Sequence, residues 1–148
     1  MPSVWQGYKM KNEDRRAFYD GERLEGGIHT AVEAWCADPA AAKSQYGPIA
    51  SWNTSEITNM SSLFLGKAGF NEDISRWDVS NVTSLWATFS SATSFNGDLS
   101  RWDVGLVTDM RFTFDGATSF NQQLGGVWSD STARKYQMFA SGCPGSIA

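Results

Sequence analysis

The chain is short of most of what catalysis and nucleic-acid binding require. It has one histidine, His29, and two cysteines, Cys36 and Cys143, in 148 residues. A histidine-based triad would have to run through His29, whose sequence setting offers no nucleophile, so no enzymatic activity and no catalytic residue are expected. Twelve Lys and Arg against sixteen Asp and Glu leave a net charge of −4. That excludes the clustered basic face that a phosphate backbone needs, and with it nucleic acid as a partner. No stretch approaches the roughly 18 apolar residues of a membrane-spanning helix. The start, Met1-Pro2-Ser3-Val4-Trp5, lacks the charged-then-apolar layout of a signal peptide, so the protein is expected either in a soluble compartment or with a targeting segment already removed. No transmembrane segment of its own is expected; peripheral association with a membrane complex stays open.

What the chain does have is aromatic rings on a fixed period. Seven Trp and nine Phe are present, so large rings are expected to fill much of the interior. Trp52, Trp77 and Trp102 are 25 residues apart, with Val127 in the same place in a fourth, degraded copy. Phe64, Phe89, Phe114 and Phe139 keep that period, as do Ile49, Ile74, Leu99 and Leu124, and Phe70, Phe95 and Phe120, each followed by Asn71, Asn96 or Asn121. A period in the twenties signals a solenoid whose repeats bury their apolar faces against one another.

Within a repeat two spacings alternate. In Ile74-Ser75-Arg76-Trp77-Asp78-Val79 the apolar residues 77 and 79 alternate as in a strand. Val82, Leu85 and Phe89 then follow at i, i+3 and i+7, one face of a short helix, with Ser80 and its counterpart Ser55 as N-caps. The expected fold is therefore an α/β solenoid, a leucine-rich-repeat-like array of about four 25-residue strand–helix coils. Ile28, Val32, Trp35 and Cys36 have helical spacing, with Thr30 as N-cap, and predict a capping helix that Gly47-Pro48 ends. The organisation expected is a charged, non-repetitive tail over 1–27, a capping helix over 28–45, and repeats over 46–148. The last copy, with Lys135 in an apolar column, serves as a polar C-cap. Cys36 and Cys143 flank the repeats. Coils stacked at roughly 4.8 Å would hold them about 15 Å apart, beyond the roughly 7 Å that a disulfide spans, so two free thiols are expected.

The run Phe-Asn-x-Asp-Ile-Ser-x-Trp-Asp-Val-Ser-x-Val-Thr, followed by an apolar residue and x-x-x-Phe, resembles the BspA-like surface-protein repeat, a mycoplasma domain of unknown function. Residues 71–89 match almost throughout. Residues 96–114 match except at Gly105-Leu106, where Ser-Asn is usual, and 46–70 match more loosely. The lead-in Trp35-Cys36-Ala37-Asp38 is similar to the version found in marine algae. The resemblance covers roughly residues 30–148. It implies a leucine-rich-repeat-like solenoid in surface or secreted proteins of bacteria and protists, with no enzymatic activity attached.

Several columns invite a chemical reading and support a plainer one. Asp73 and Asp98, with Asp78 and Asp103, lack the dense oxygen pattern of a calcium loop; beside Arg76 and Arg101 they are read as ion pairs between copies, so neither a metal nor a cofactor is expected. Thr58, Thr83 and Thr108 give one hydroxyl per copy, too few for an ice-matching face. The formal glycosylation sequons at Asn53, Asn59 and Asn81 arise automatically from the repeat.

The useful signal lies where copies disagree. Trp86 stands where the other copies have Ser61, Arg111 and Tyr136; Phe112 replaces Ser62 and Ala87; Leu65 replaces Ser90 and Asp115. Aromatics at positions that the repeat leaves polar are binding candidates. The expected partner-binding residues are Trp86, Phe112, Leu65, Arg111 and Tyr136, with Trp5 and Tyr8 from the tail and Arg76 and Arg101 from the strand face. The expected function is a non-catalytic interaction module, a peripheral linker or scaffold subunit of a larger protein assembly, such as a photosynthetic complex in an algal chloroplast. A cell-surface or secreted adhesin-like protein is the second reading, and a carbohydrate-binding module the third.

Overall fold

The computed structural model describes Met10, Asn12 and residues 27–148. Trp5, Tyr8 and most of the 1–27 tail lie outside the described residues. Helix α1 (Ile28–Ala37) turns Ile28, Ala31, Val32 and Trp35 into the core. The single helix expected over 28–45 is in fact two. Pro39 disfavours helical backbone at Asp38, which is extended (φ −154°, ψ 90°) and ends α1. Its side chain then accepts a hydrogen bond from Ala41 N at 3.2 Å, capping α2 (Pro39–Tyr46). Gly27, not Thr30, is the N-cap of α1, and Cys36 is exposed rather than part of the apolar face.

The expected α/β solenoid of strand–helix coils is not formed. Beyond α2 the described residues hold one 3-10 turn (Ile49–Ser51), strand β1 (Gln123–Leu124), helix α3 (Val127–Asp130) and strand β2 (Ser146–Ile147). Among the described residues β1 and β2 pair in parallel as a two-stranded sheet. Most of residues 46–148 is turn and irregular backbone.

The reason is visible in the segment expected to be helical. Val82, Leu85 and Phe89 are buried together, but the backbone N–H groups divide their partners. Thr88, Ser90 and Ala92 reach back three residues to Leu85, Ala87 and Phe89. Leu85, Ala87, Phe89 and Ser91 instead donate laterally, to the carbonyls of Asp109, Arg111, Thr113 and Asp115 at 2.8–3.0 Å. An α-helix needs every N–H for the carbonyl four residues earlier. Here alternate donors serve the neighbouring segment, and Ala87 and Ser91 take left-handed backbone (φ 53° and 59°) to turn them outward. The strand half fails similarly. Asp78 Oδ1 accepts from Ser80 N and Ser80 Oγ (3.0 and 2.6 Å), closing a local turn where a sheet ladder would have run. Ser80 and Ser55 therefore cap no helix; each is held by the residue two before it.

What recurs at the 25-residue interval is side-chain stacking. Phe64, Phe89, Phe114 and Phe139 stack at centroid distances of 5.3, 5.4 and 5.3 Å, and Phe70, Phe95 and Phe120 at 5.9 Å each. Asn96 N donates to Asn71 Oδ1 and Asn121 N to Asn96 Oδ1, at 2.9 and 2.8 Å. The buried indoles are satisfied by backbone. Trp77 Nε1 donates to Ile49 O, Trp102 Nε1 to Ile74 O and Trp128 Nε1 to Leu99 O, at 2.8–3.0 Å. The tryptophan column thus continues at Trp128, not Val127. Trp128 is fully buried, and Val127 is 44% exposed.

Candidate functional site

The positions where copies diverge form a surface row. Trp86, Phe112 and Tyr136 lie on consecutive laterally bonded segments, since Ala87 N donates to Arg111 O and Phe112 N to Tyr136 O. Their rings meet edge to face. Trp86–Phe112 are 6.1 Å apart at 76°, and Phe112–Tyr136 are 5.7 Å apart at 86°. Trp86 and Tyr136 remain 38% and 64% exposed, while Phe112 is half-buried between them. Phe112 also holds left-handed backbone (φ 61°). A bulky residue is a rare occupant of that region, at a cost of roughly 1–2 kcal/mol. The other copies place Ser62, Ala87 and Gln137 there.

Arg111 is tied up beside the row. Its Nε and Nη2 donate to Asp109 Oδ1 and Oδ2 at 3.0 and 2.8 Å, and its backbone N reaches Oδ1 as well. Arg134 approaches the same carboxylate at 3.6 Å. The hydrogen bond from Arg111 holds the Asp109 carboxyl below the usual carboxylate range. Asp109 was not picked out by sequence reasoning. Its signal was available in the spacing Asp-x-Arg, which matches the Asn59-x-Ser61 turn of the first copy.

The remaining candidates scatter. Leu65 is exposed. Arg76 and Arg101 are exposed, and among the described residues neither forms an ion pair with the neighbouring aspartates. The expected ion pairs between copies are replaced by local turns. Asp73 accepts from Ser75 and Asp98 from Ser100, and these hydrogen bonds hold both carboxyls low. Leu106, 57% exposed, was passed over although Gly105-Leu106 is where the copy departs from its neighbours.

A concavity of about 460 Å³ lies between α1 and the turn at 66–72, lined by Glu33, Trp35, Cys36, Lys67, Phe70 and Glu72. Lys67 Nζ pairs with Glu33 Oε2 at 2.6 Å across it. Desolvation holds the Cys36 thiol above its ordinary pKa despite the nearby Lys67, which is the opposite of an activated nucleophile. Cys36 and Cys143 are both free thiols. His29 Nε2 donates to Ser61 O at 2.8 Å and so closes a backbone carbonyl. Among the described residues no cluster of three or more His, Cys, Asp or Glu is placed to hold a metal ion, and no helix is long and apolar enough to cross a membrane.

Among known families, the model described as Mycoplasma protein of unknown function, DUF285, matches residues 37–144. No curated protein and no solved structure matches the chain.

Proposed function

The chain belongs to the family of that description, Mycoplasma protein of unknown function, DUF285, and from this premise we propose that it is a non-catalytic protein–protein interaction module, a linker or scaffold subunit of a larger assembly. The observation that carries the reading is the exposed row Trp86, Phe112 and Tyr136. Large, rigid rings gain contact area at little conformational cost and dominate binding hot spots. Phe112 occupies strained backbone without being needed for burial, and a role in recognition gives that strain a reason. The non-catalytic part is supported by the single histidine being occupied with Ser61 O and by surroundings that raise rather than lower the Cys36 pKa. The resemblance to BspA-like repeats, with its algal lead-in, belongs to this proposal, as does the chloroplast placement. The rings argue for protein over carbohydrate. At interplanar angles of 76° and 86°, neither Trp86 with Phe112 nor Phe112 with Tyr136 offers a shared flat platform for a sugar.

The test is native size in gently solubilised source cells, by native gel with immunodetection. Comigration with a large complex, lost on Trp86→Ala and Tyr136→Ala, is the expected result; a hot-spot truncation should weaken docking by roughly 30-fold or more. Migration of the unaltered chain near 16.3 kDa would sink the linker reading and put the surface-protein reading first.

A further inference from the structure

Exposed and half-buried positions of the laterally bonded segments form two neighbouring columns. One holds Ser61, Trp86, Arg111 and Tyr136; the other holds Asn59, Ser84, Asp109 and Arg134, joined as successive parallel bridges. Three members of the second column close their own turn. Asn59, Ser84 and Asp109 each accept from the backbone N–H two residues on, at 2.9, 3.2 and 3.0 Å. Arg134 breaks the rule, because a guanidinium has donors and no acceptor. Its side chain is 66% exposed, and its one ion-pair contact among the described residues is the 3.6 Å approach to Asp109.

Charge on this face runs against that of the chain. Arg111 and Arg134 meet the single carboxylate of Asp109, which is 13% exposed and already held by Arg111 Nε and Nη2. Two guanidinium groups against one carboxylate leave a positive excess on a chain of net charge −4. Arg111 keeps its Nη1 donors for another acceptor. The cations gather toward Tyr136. Beyond Trp86 the two columns are neutral, with Ser61 Oγ and Ser84 Oγ bonded to each other at 2.7 Å. Exposure of Trp86 and Arg111 is outward, since their segments are bonded on both flanks: Ser62 N donates to Trp86 O, Ala87 N to Arg111 O and Phe112 N to Tyr136 O.

We infer that this face docks an acidic segment of a partner protein, which sets two apolar side chains, two residues apart, on either side of Phe112 and turns carboxylates toward Arg134 and Arg111. The inference rests on the reading of the aromatic row as a protein-docking surface and adds the chemistry of the partner. Ring spacing selects an extended chain. Trp86, Phe112 and Tyr136 follow one another at 6.1 and 5.7 Å, near the roughly 6.6 Å between alternate side chains of an extended segment. Charge selects carboxylates. Asp109 shows in place that Arg111 takes a carboxylate through two N–H bonds, the strongest pairing a guanidinium makes. An anionic bilayer is the poorer fit, because such surfaces are held by clusters of roughly four or more Lys and Arg. A positive face on an otherwise acidic chain also fixes how the partner lies.

The experiment reads fluorescence anisotropy of labelled synthetic peptides titrated with the full chain. One peptide carries Phe-Ser-Phe flanked on each side by Asp-Glu, a second has Lys for every acidic residue, and a third has Ser for both Phe. The first should bind saturably up to millimolar, at least 10-fold tighter than the other two, and weaken as salt is raised. Trp86→Ala should weaken it at least 10-fold. Arg134→Glu should cut its preference over the Lys peptide at least 10-fold, whereas the same charge change in α2, Lys43→Glu, leaves that preference alone. All three positions are exposed, and an unchanged circular dichroism spectrum shows each variant folded. Equal binding of the acidic and Lys peptides, no saturable binding of the acidic one, or an equal effect of Lys43→Glu overturns the inference. So does sedimentation with phosphatidylcholine–phosphatidylserine vesicles that Arg134→Glu abolishes, which would give the face to a membrane. The docking reading fails separately: native comigration disrupted by Trp86→Ala but not by Arg134→Glu keeps that reading and removes the acidic partner.

Discussion

At the scale of single residues, much of the molecule is built from side chains that accept a hydrogen bond from the N–H two residues on. Asn53, Asp73, Asp78, Asp98, Asp103 and Asp109 all do this. Such short polar residues compete with helix and sheet for the backbone, and here they prevail. Left-handed backbone recurs at Ser62, Ala87, Phe112 and Gln137. Gln137 is exposed and its side chain makes one long contact, 3.3 Å to Tyr136 Oη, so Gln137→Gly removes strain and little else. Unfolding in urea should show stability raised by about 0.5–1 kcal/mol, where a glycine at an ordinary position lowers it by a similar amount. Trp102→Phe acts the other way. It deletes the buried bond from Nε1 to Ile74 O and leaves a gap in a close-packed stack, and about 2–4 kcal/mol should be lost in the same assay.

Among the elements, the two N-terminal helices depend on one residue. Asp38 ends α1 and caps α2, so Asp38→Ala should cost about 1 kcal/mol, read as a lowered midpoint of thermal unfolding followed by circular dichroism. The first helix could be read from the spacing of Ile28, Val32 and Trp35, but the break after it and the separate second helix rested on an Asp-Pro pair that a single periodic pattern concealed. The repeated segments show the opposite failure. Their apolar spacing, Val82, Leu85 and Phe89, correctly marked what is buried and suggested a helix that is not there. Periodicity reports which side chains turn inward. It does not report whether alternate N–H groups bond within a segment or across to its neighbour.

For the whole molecule, the acidic columns set the response to pH. Asp73, Asp78, Asp98 and Asp109 have their pKa lowered by hydrogen bonds from Ser75, Ser80, Ser100 and Arg111 respectively. Their contribution is complete above the unfolded value of about 3.9 and is lost as pH falls through the lower folded values. The urea midpoint should hold from about pH 7 to pH 5 and fall below about pH 4. Asp73→Asn with Asp98→Asn keeps the local turn and should flatten that acid limb; a limb unchanged by the pair would place the acid response elsewhere. The binding row belongs to this scale too. Trp86, Phe112 and Tyr136 were legible as departures from the repeat, yet only lateral pairing of their segments brings the three rings into contact. Arg111 was legible in the same way and is drawn off by Asp109, a partner two residues away that no column comparison singled out.

By itself the sequence determined the 25-residue interval, the rings that fill the core and the positions that break the pattern, because burial of large apolar groups follows directly from their spacing. Tertiary structure decided the rest. It moved the last tryptophan from position 127 to 128 and replaced strand and helix with laterally bonded turns. Those outcomes depend on which carbonyl each backbone donor reaches, and in most of these turns that carbonyl lies 24 residues further along the chain.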